Sequence, residues 1–308
     1  MRDSTVTLPR ASAERPVVFF GNGIHRLSAG PSWEDLIIRL SSSLGRKGGD
    51  YELDFGKPFT LLYEELAVRA GMSRSQIEKI FANEVAKFSE ELRPHELHKA
   101  LLSLNISHYI TTNYDLTLER AIVEPNKLEG SSSIVERRYS IFRRFTINGN
   151  HIWHIHGEII HPGSIMLGYD HYAGALQKIR EYTTTGAKYS GFNRRSLIAR
   201  LSPTMTVSSW IDLFFISDIH ILGISLNTVE MHLWWIIAFR ARKAKEKNVE
   251  NVIRYYHPKQ IGIRTSREDE RKLEMLVSFG VKIEEIRIPP RKWQLFYEES
   301  IAQIGRHC

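Results

Sequence analysis

Short runs of consecutive apolar residues alternate along this chain with segments whose apolar positions recur every three to four residues. The runs cover residues 17–20, 108–111, 152–155, 219–222, 252–256 and 281–288 and are rich in β-branched and aromatic side chains. Runs of this length, apolar without alternation, predict strands buried on both faces. Helical spacing covers residues 33–44, 59–70, 74–88, 94–104, 116–122, 228–247 and 268–279. Within 74–88, Ile77, Ile80, Phe81, Val85 and Phe88 share one face of a helix, which predicts packing rather than chemistry. Strand and helix in alternation predict an α/β fold, a mostly parallel sheet with helices on both faces. Two segments, about 45–95 and 170–215, accumulate helical pattern with no strand between, and they predict a helical insertion layer. The expected organisation is one domain over residues 16–308, preceded by a polar, unstructured lead of residues 1–15.

Composition narrows the class. With 42% hydrophobic and 25% charged residues over 308 positions, the chain can bury a substantial core. No stretch approaches the roughly 18 consecutive apolar residues of a membrane span. The start also lacks the apolar centre of a signal peptide, so no membrane association and a cytoplasmic location are expected. Cys308 is the only cysteine, which excludes an internal disulfide and a cysteine-ligated zinc site within one chain. The formal net charge is +7, with basic residues grouped at Arg137-Arg138, Arg143-Arg144, Arg194-Arg195 and from Arg240 to Lys247. Such charge suits nucleic acid, an acidic protein or an anionic small molecule without choosing among them. The last group follows a long apolar helical pattern and suits a helix C-terminus, where cations favour the macrodipole.

Candidate chemistry sits where four of the apolar runs end. The first, Val17-Val18-Phe19-Phe20, opens into Gly21-Asn22-Gly23, and Ala29-Gly30-Pro31-Ser32-Trp33 leads into a helix. Glycines after a first strand let backbone N–H groups approach a pyrophosphate, which would make the sheet Rossmann-like. A plain tight turn would use the same glycines, because Arg26 stands where the usual fingerprint has its third. The second run opens into Thr112-Asn113-Tyr114-Asp115, where Asn113 and Asp115 suit ribose hydroxyls or a water, or Asp115 caps the next helix. The third reads Ile152-Trp153-His154-Ile155-His156-Gly157, and alternation places His154 and His156 on one face. Metal binding would need further ligands. His151 and His161 lie nearby but make no recognisable set, so acid–base work by one histidine is the more economical reading. The fourth opens into Gly223-Ile224-Ser225-Leu226-Asn227, small and polar residues suited to the remaining ribose and adenine. Trp234 and Trp235 beyond it are read as core.

The order of these motifs resembles the sirtuin family: a glycine turn followed by AGxP, then TTNYD, then a strand ending in HG, then a GxSL turn. The likeness is to its divergent bacterial branch, in which NAD-degrading effectors of antiphage defence carry a helical insertion in place of the zinc ribbon. Classical deacylases of the family have two CxxC pairs and read AGIPDFR after the glycine turn; this chain has neither. The resemblance implies that NAD is the substrate and that no metal is needed. It implies catalytic roles for Asn113, His156 and Asp115, and cofactor contacts from Gly21, Asn22, Gly23, Trp33, Thr112, Gly223, Ser225 and Asn227. Asn113 would position water or ribose hydroxyls, His156 would accept a proton, and Asp115 would orient the ribose end.

The expected reaction is hydrolysis of the nicotinamide–ribose bond to nicotinamide and ADP-ribose, the alternatives being protein deacylation, ADP-ribosyl transfer or non-catalytic sensing of NAD or ADP-ribose. Unrestrained NAD loss would kill the host. The resemblance therefore also implies control by self-assembly or by a separate partner, such as a short Argonaute, a ring ATPase or a nucleotide-sensing pyrophosphatase-like protein. Nucleic acid would then act only through that partner.

Overall fold

The computed structural model describes residues 14–27, 33–44, 53–54, 56–104, 106–123, 130–131, 136, 138–189, 192–202, 204–247 and 249–308. Its strands are β1 (Glu14–Phe20), β2 (His108–Thr111), β3 (Gly130–Ser131), β4 (Arg144–Ile147), β5 (Asn150–His154), β6 (Gly186–Tyr189), β7 (Phe192–Arg195), β8 (Ser217–Leu222), β9 (Ile253–Gln260) and β10 (Lys282–Ile288). The helices are α1 (Trp33–Ser43), α2 (Phe59–Ala70), α3 (Arg74–Glu91), α4 (Glu96–Leu102), α5 (Thr117–Arg120), α6 (Tyr169–Thr184), α7 (Leu197–Arg200), α8 (Trp210–Ile216), α9 (Met231–Lys247), α10 (Arg267–Ser278) and α11 (Trp293–Gly305).

Every apolar run that predicts a strand forms one. The main sheet has the order β10-β9-β8-β1-β2-β5-β4-β3, parallel from β10 to β5. Strands β4 and β3 add an antiparallel edge that the apolar runs do not announce. The β4–β5 hairpin turns at Asn148 and Gly149, with φ of 49° and 82°. Positive φ at both positions is the mark of the tightest hairpin turns, and the Asn-Gly pair is its local sequence signal.

Strand β1 lies at the centre, and its side chains divide the core. Val17 and Phe19 join Trp153, Phe214, Ile219 and Leu233 on one face. Val18 and Phe20 join Tyr109, Ile152, Leu222 and Ile304 on the other. Both faces are covered, as uninterrupted apolar strands require. Trp234 and Trp235 pack, partly buried, against the first of these clusters.

Helices α1, α2 and α3 build a third cluster around Leu36, Leu40, Leu62, Leu66, Phe81 and Val85. This is the helical layer expected over 45–95, of which 45–52 and 55 lie outside the described residues. Ser73 starts α3 through a reciprocal pair of hydrogen bonds with Gln76. The layer expected over 170–215 differs from its prediction: after α6, a hairpin of β6 and β7 intervenes before α7 and α8. Its four-residue strands contain no apolar run, which is why helical pattern alone is legible there. Of the lead expected to be unstructured, Glu14 and Arg15 already belong to β1, and 1–13 lie outside the described residues. Helix α11, not foreseen, buries Phe296, Tyr297, Ile301 and Ile304 on one face. Among the described residues no helix is long and apolar enough to cross a membrane.

Candidate active site

From β1 the chain crosses to β2 on one side, while β8 returns on the other side of β1. In an open parallel sheet the crevice for ligands lies at the carboxyl ends of the strands where the order reverses this way. All four candidate turns leave the sheet at that edge. Register places two of them at one level: Thr111 pairs with His154, so Asn113 and His156 each lie two residues beyond a matched pair.

The glycine turn is stitched to the turn after β8. Gly21 N donates to Leu222 O at 3.2 Å, and Gly23 N to Gly223 O at 3.1 Å. These two N–H groups are therefore engaged by the protein, and close packing already accounts for both glycines. A Cβ on Gly21 would stand 2.8 Å from Ile224 Cγ1 and 3.1 Å from Thr112 Oγ1; one on Gly23 would meet the Tyr297 hydroxyl. Asn22, between them, is half-buried. Trp33 opens α1, but its side chain and residues 28–32 lie outside the described residues.

Beyond β2, Asn113 and Asp115 are both buried and share a partner that sequence reasoning missed, His25. His25 Nε2 stands 3.2 Å from Asp115 Oδ2 and 3.2 Å from Asn113 Nδ2. Burial works against the Asp115 charge, but His25 and Thr117 outweigh it and hold the carboxyl well below its ordinary range. An ionised carboxylate only accepts hydrogen bonds, so His25 Nε2 bears a hydrogen. The Asn113 atom facing that hydrogen must also accept, which places the amide oxygen on His25 and turns the NH₂ toward the position left unmatched among the described residues. Asn113 so oriented offers two N–H donors, which suits a ribose hydroxyl or a water. Asp115 Oδ1 meanwhile accepts from Thr117 N at 3.0 Å, so Asp115, one residue ahead of the N-cap Leu116, both engages the first N–H of α5 and orients His25.

His154 and His156 share no partner. His154 is clamped between Asn113 O and Glu119 Oε1, each at 2.7 Å. Burial opposes its charge, yet Glu119 raises it to about 9, so His154 is a structural cation. His156 instead meets His232, with the two Nε2 atoms 2.9 Å apart. Burial pushes His156 down to about 3, which makes it a neutral imidazole, the form a general base requires. Gly157 follows with φ of 88°, and a Cβ there would run into the Ser164 carbonyl. Tyr172, from α6, lies 5.3 Å from both imidazole rings, so the second helical segment covers the candidate base.

The β8 turn contributes Gly223, with Ser225 and Asn227 exposed at the same edge. Asn227 N donates to Glu230 Oε2 at 3.2 Å, and burial pushes the Glu230 carboxyl up to about 7. Two signals could have found His25 and His232: a histidine just after the glycine turn, and another in the first turn of the helix after GxSL. Tyr172 carries no such signal.

One histidine group has metal-like spacing. His25, His95 and His98 each bring a ring nitrogen to within 4.8 Å of the others. Their hydrogen bonds oppose a metal, however. Leu97 N donates to His95 Nδ1, and His95 N donates to His98 Nδ1, both at 3.3 Å. In a neutral ring an accepting Nδ1 leaves the hydrogen on Nε2, so neither Nε2 offers a lone pair. A cavity of about 390 Å³ opens elsewhere, between α3, α6 and residues 162–167. It is lined by the helical layer, not by the motif residues.

The basic groups are partly internal. Arg143 is buried against Glu136 and Glu158, and Arg240 against Asn251.

The model of a SIR2-like domain matches residues 107–249, a stretch that takes in Asn113, Asp115, His156 and the β8 turn. Over 174 residues the chain is 28% identical to the NAD(+) hydrolase ThsA of Bacillus cereus (strain MSX-D12), a distant homology covering 55% of this chain and 33% of that protein. The match thus spans about a third of the relative's length.

Proposed function

With a SIR2-like domain over residues 107–249 as the premise, we propose that this protein hydrolyses NAD at the nicotinamide–ribose bond. The observation that carries the reading is the placement of Asn113 and His156 at one level of the strand edge beside the β1–β8 reversal. The distant NAD(+) hydrolase relative supports the same reaction. The residues present fit the substrate's ribose: a buried amide whose far end is unmatched among the described residues, and a neutral buried imidazole at the same level of the strand edge.

Hydrolysis breaks the bond between the ribose carbon and the nicotinamide nitrogen, joins a water oxygen to that carbon and releases one proton. Asn113 would hold the water or a ribose hydroxyl through its amide. His156 would take the proton, and Asp115, through His25, would fix Asn113 while adding negative charge near the carbon that becomes electron-poor. Burial under Tyr172 keeps competing water from His156. The biological role proposed is an effector of antiphage defence, held in check by a partner or by self-assembly.

The test is incubation of the full chain with NAD, alone and with candidate partners, with products separated by chromatography. Nicotinamide and ADP-ribose in equal amounts are expected, and Asn113→Ala or His156→Ala should each reduce the rate about 10²-fold or more. Parent-like rates in both variants would refute the site. ADP-ribose found on a protein acceptor would mark transfer instead of hydrolysis.

A further inference from the structure

His156, just beyond β5, and His232, in the first turn of α9, stand 76 residues apart, yet their Nε2 atoms meet at 2.9 Å. Two nitrogens attract at that distance only when one bears a hydrogen and the other offers a lone pair. Burial pushes His156 down to about 3 and drives His232 well below its ordinary value, His156 adding to the latter, so the pair holds one hydrogen between two neutral rings. The rings are fixed in place, with centroids 5.0 Å apart and Tyr172 packed 5.3 Å from each. The other nitrogen of His232, Nδ1, is buried without a partner among the described residues. Tyr172 faces the pair from α6. Tyr114, whose hydroxyl donates to Met166 O, and Glu230 are the other titratable groups that act on Tyr172. A single proton-accepting histidine needs none of this arrangement.

We propose that His232 is the second station of a two-histidine proton relay, receiving from His156 the proton that water releases when it attacks NAD. The proposal rests on the reading of His156 as the base. Before reaction, His156 carries its hydrogen on Nε2 and His232 carries its own on Nδ1. The water proton settles on His156 Nδ1, and the His156 Nε2 hydrogen passes to His232 Nε2. His156 is then neutral again and His232 is an imidazolium. That proton leaves to solvent with the products, which accounts for the one proton NAD hydrolysis generates. A cation shared across a short N–H···N bond is tolerated where either buried ring alone would refuse it. His232 is thus a positioning residue that acts through His156, raising its basicity and giving the proton an exit.

Two variants test this in the full chain: His232→Phe, which keeps a ring but cannot accept, and His232→Gln, whose amide oxygen can. His232→Phe should lower kcat about 10²-fold with little change in KM. Losing the acceptor weakens the base, so the acid limb of the pH–rate profile should move to lower pH. His232→Gln should restore about 10-fold of the loss. A proton inventory in mixed H₂O and D₂O should be curved for the parent, as two transferred protons require, and linear for His232→Phe. Independently of activity, nitrogen NMR of labelled histidines should show Nε2 protonated on one ring of the pair and bare on the other. Both rings protonated at Nε2 would overturn the relay. So would a His232→Phe variant with parent kcat, acid limb and isotope response while His156→Gln is dead. Activity retained in His156→Gln would instead refute the underlying assignment of the base.

Discussion

His154 and His156 stand two residues apart, and the groups around them give them opposite charge states. Glu119 holds His154 protonated, with a pKa of about 9 against an ordinary 6.5. A raised folded-state value means that the pair's stabilisation is complete below pH ~6.5 and drains away as pH rises through about 9. Thermal melts across pH 6 to 10 should show this decline, and Glu119→Gln should flatten it. His154→Ala, which strands the buried Glu119 carboxylate, should cost about 3 kcal/mol. His156 has no such partner: burial holds it neutral in the fold, so it leaves the slope above pH ~7.5 unchanged and costs stability as pH falls through its ordinary 6.5 toward about 3. Gly157 sets its position. Gly157→Ala would force a side chain into left-handed backbone against the Ser164 carbonyl, at a cost of about 1–3 kcal/mol, and should lower the melting temperature and NAD cleavage together. A melting temperature equal to the parent's would contradict that account.

At the scale of elements, α4 shows how a helix terminus decides chemistry that composition leaves open. Three histidines gather between the glycine turn and α4, a composition that reads as a metal site. The first turn of α4 is closed by His95 and His98, which accept backbone N–H groups at Nδ1, and the tautomers this imposes turn Nε2 into a donor. His95 Nε2 accordingly meets Ile24 O at 3.1 Å. Treatment with a strong chelator should leave the melting temperature and NAD cleavage unchanged. Stoichiometric zinc lost together with activity would overturn the argument. Helices with a strong apolar period were legible almost to the residue, as in α2, where periodicity and the structure agree on Phe59–Ala70. The β6–β7 hairpin and the β4 edge were not, because their sequences GAKY, FNRR and RFTI contain no continuous apolar run.

For the whole molecule, the distribution of charge bears on control. Burial of Arg143 and Arg240 removes two charges from the basic groups, and Arg138 is paired with Glu78. Lys243, half-buried, is salt-bridged locally to Glu246. Charge therefore supports a docking partner less than the sequence suggests, and the expectation rests on the cost of unrestrained NAD loss. A trigger that raises activity a hundredfold must prefer the competent conformation by about 2.7 kcal/mol, which one good interface can supply. Turnover per chain should therefore rise with protein concentration or on adding the product of a neighbouring gene. Full activity in a dilute monomer, unchanged by any partner, would sink the regulated-effector proposal and leave the hydrolase reading intact.

The sequence by itself determined the parallel part of the sheet and the order of the motifs, because a buried parallel strand must be apolar along its length and must end in polar or small residues where a ligand can approach. Asn113, Asp115 and His156 could be named from those strand ends. Their tautomers, charges and basicity could not be, since these come from neighbours distant in sequence. His25 fixes the Asn113 amide from 88 residues away, and His232 reaches His156 across 76. Alternation predicted one face for His154 and His156. Only tertiary structure, by giving one a carboxylate and burying the other against a second imidazole, made the first a structural cation and the second a neutral ring.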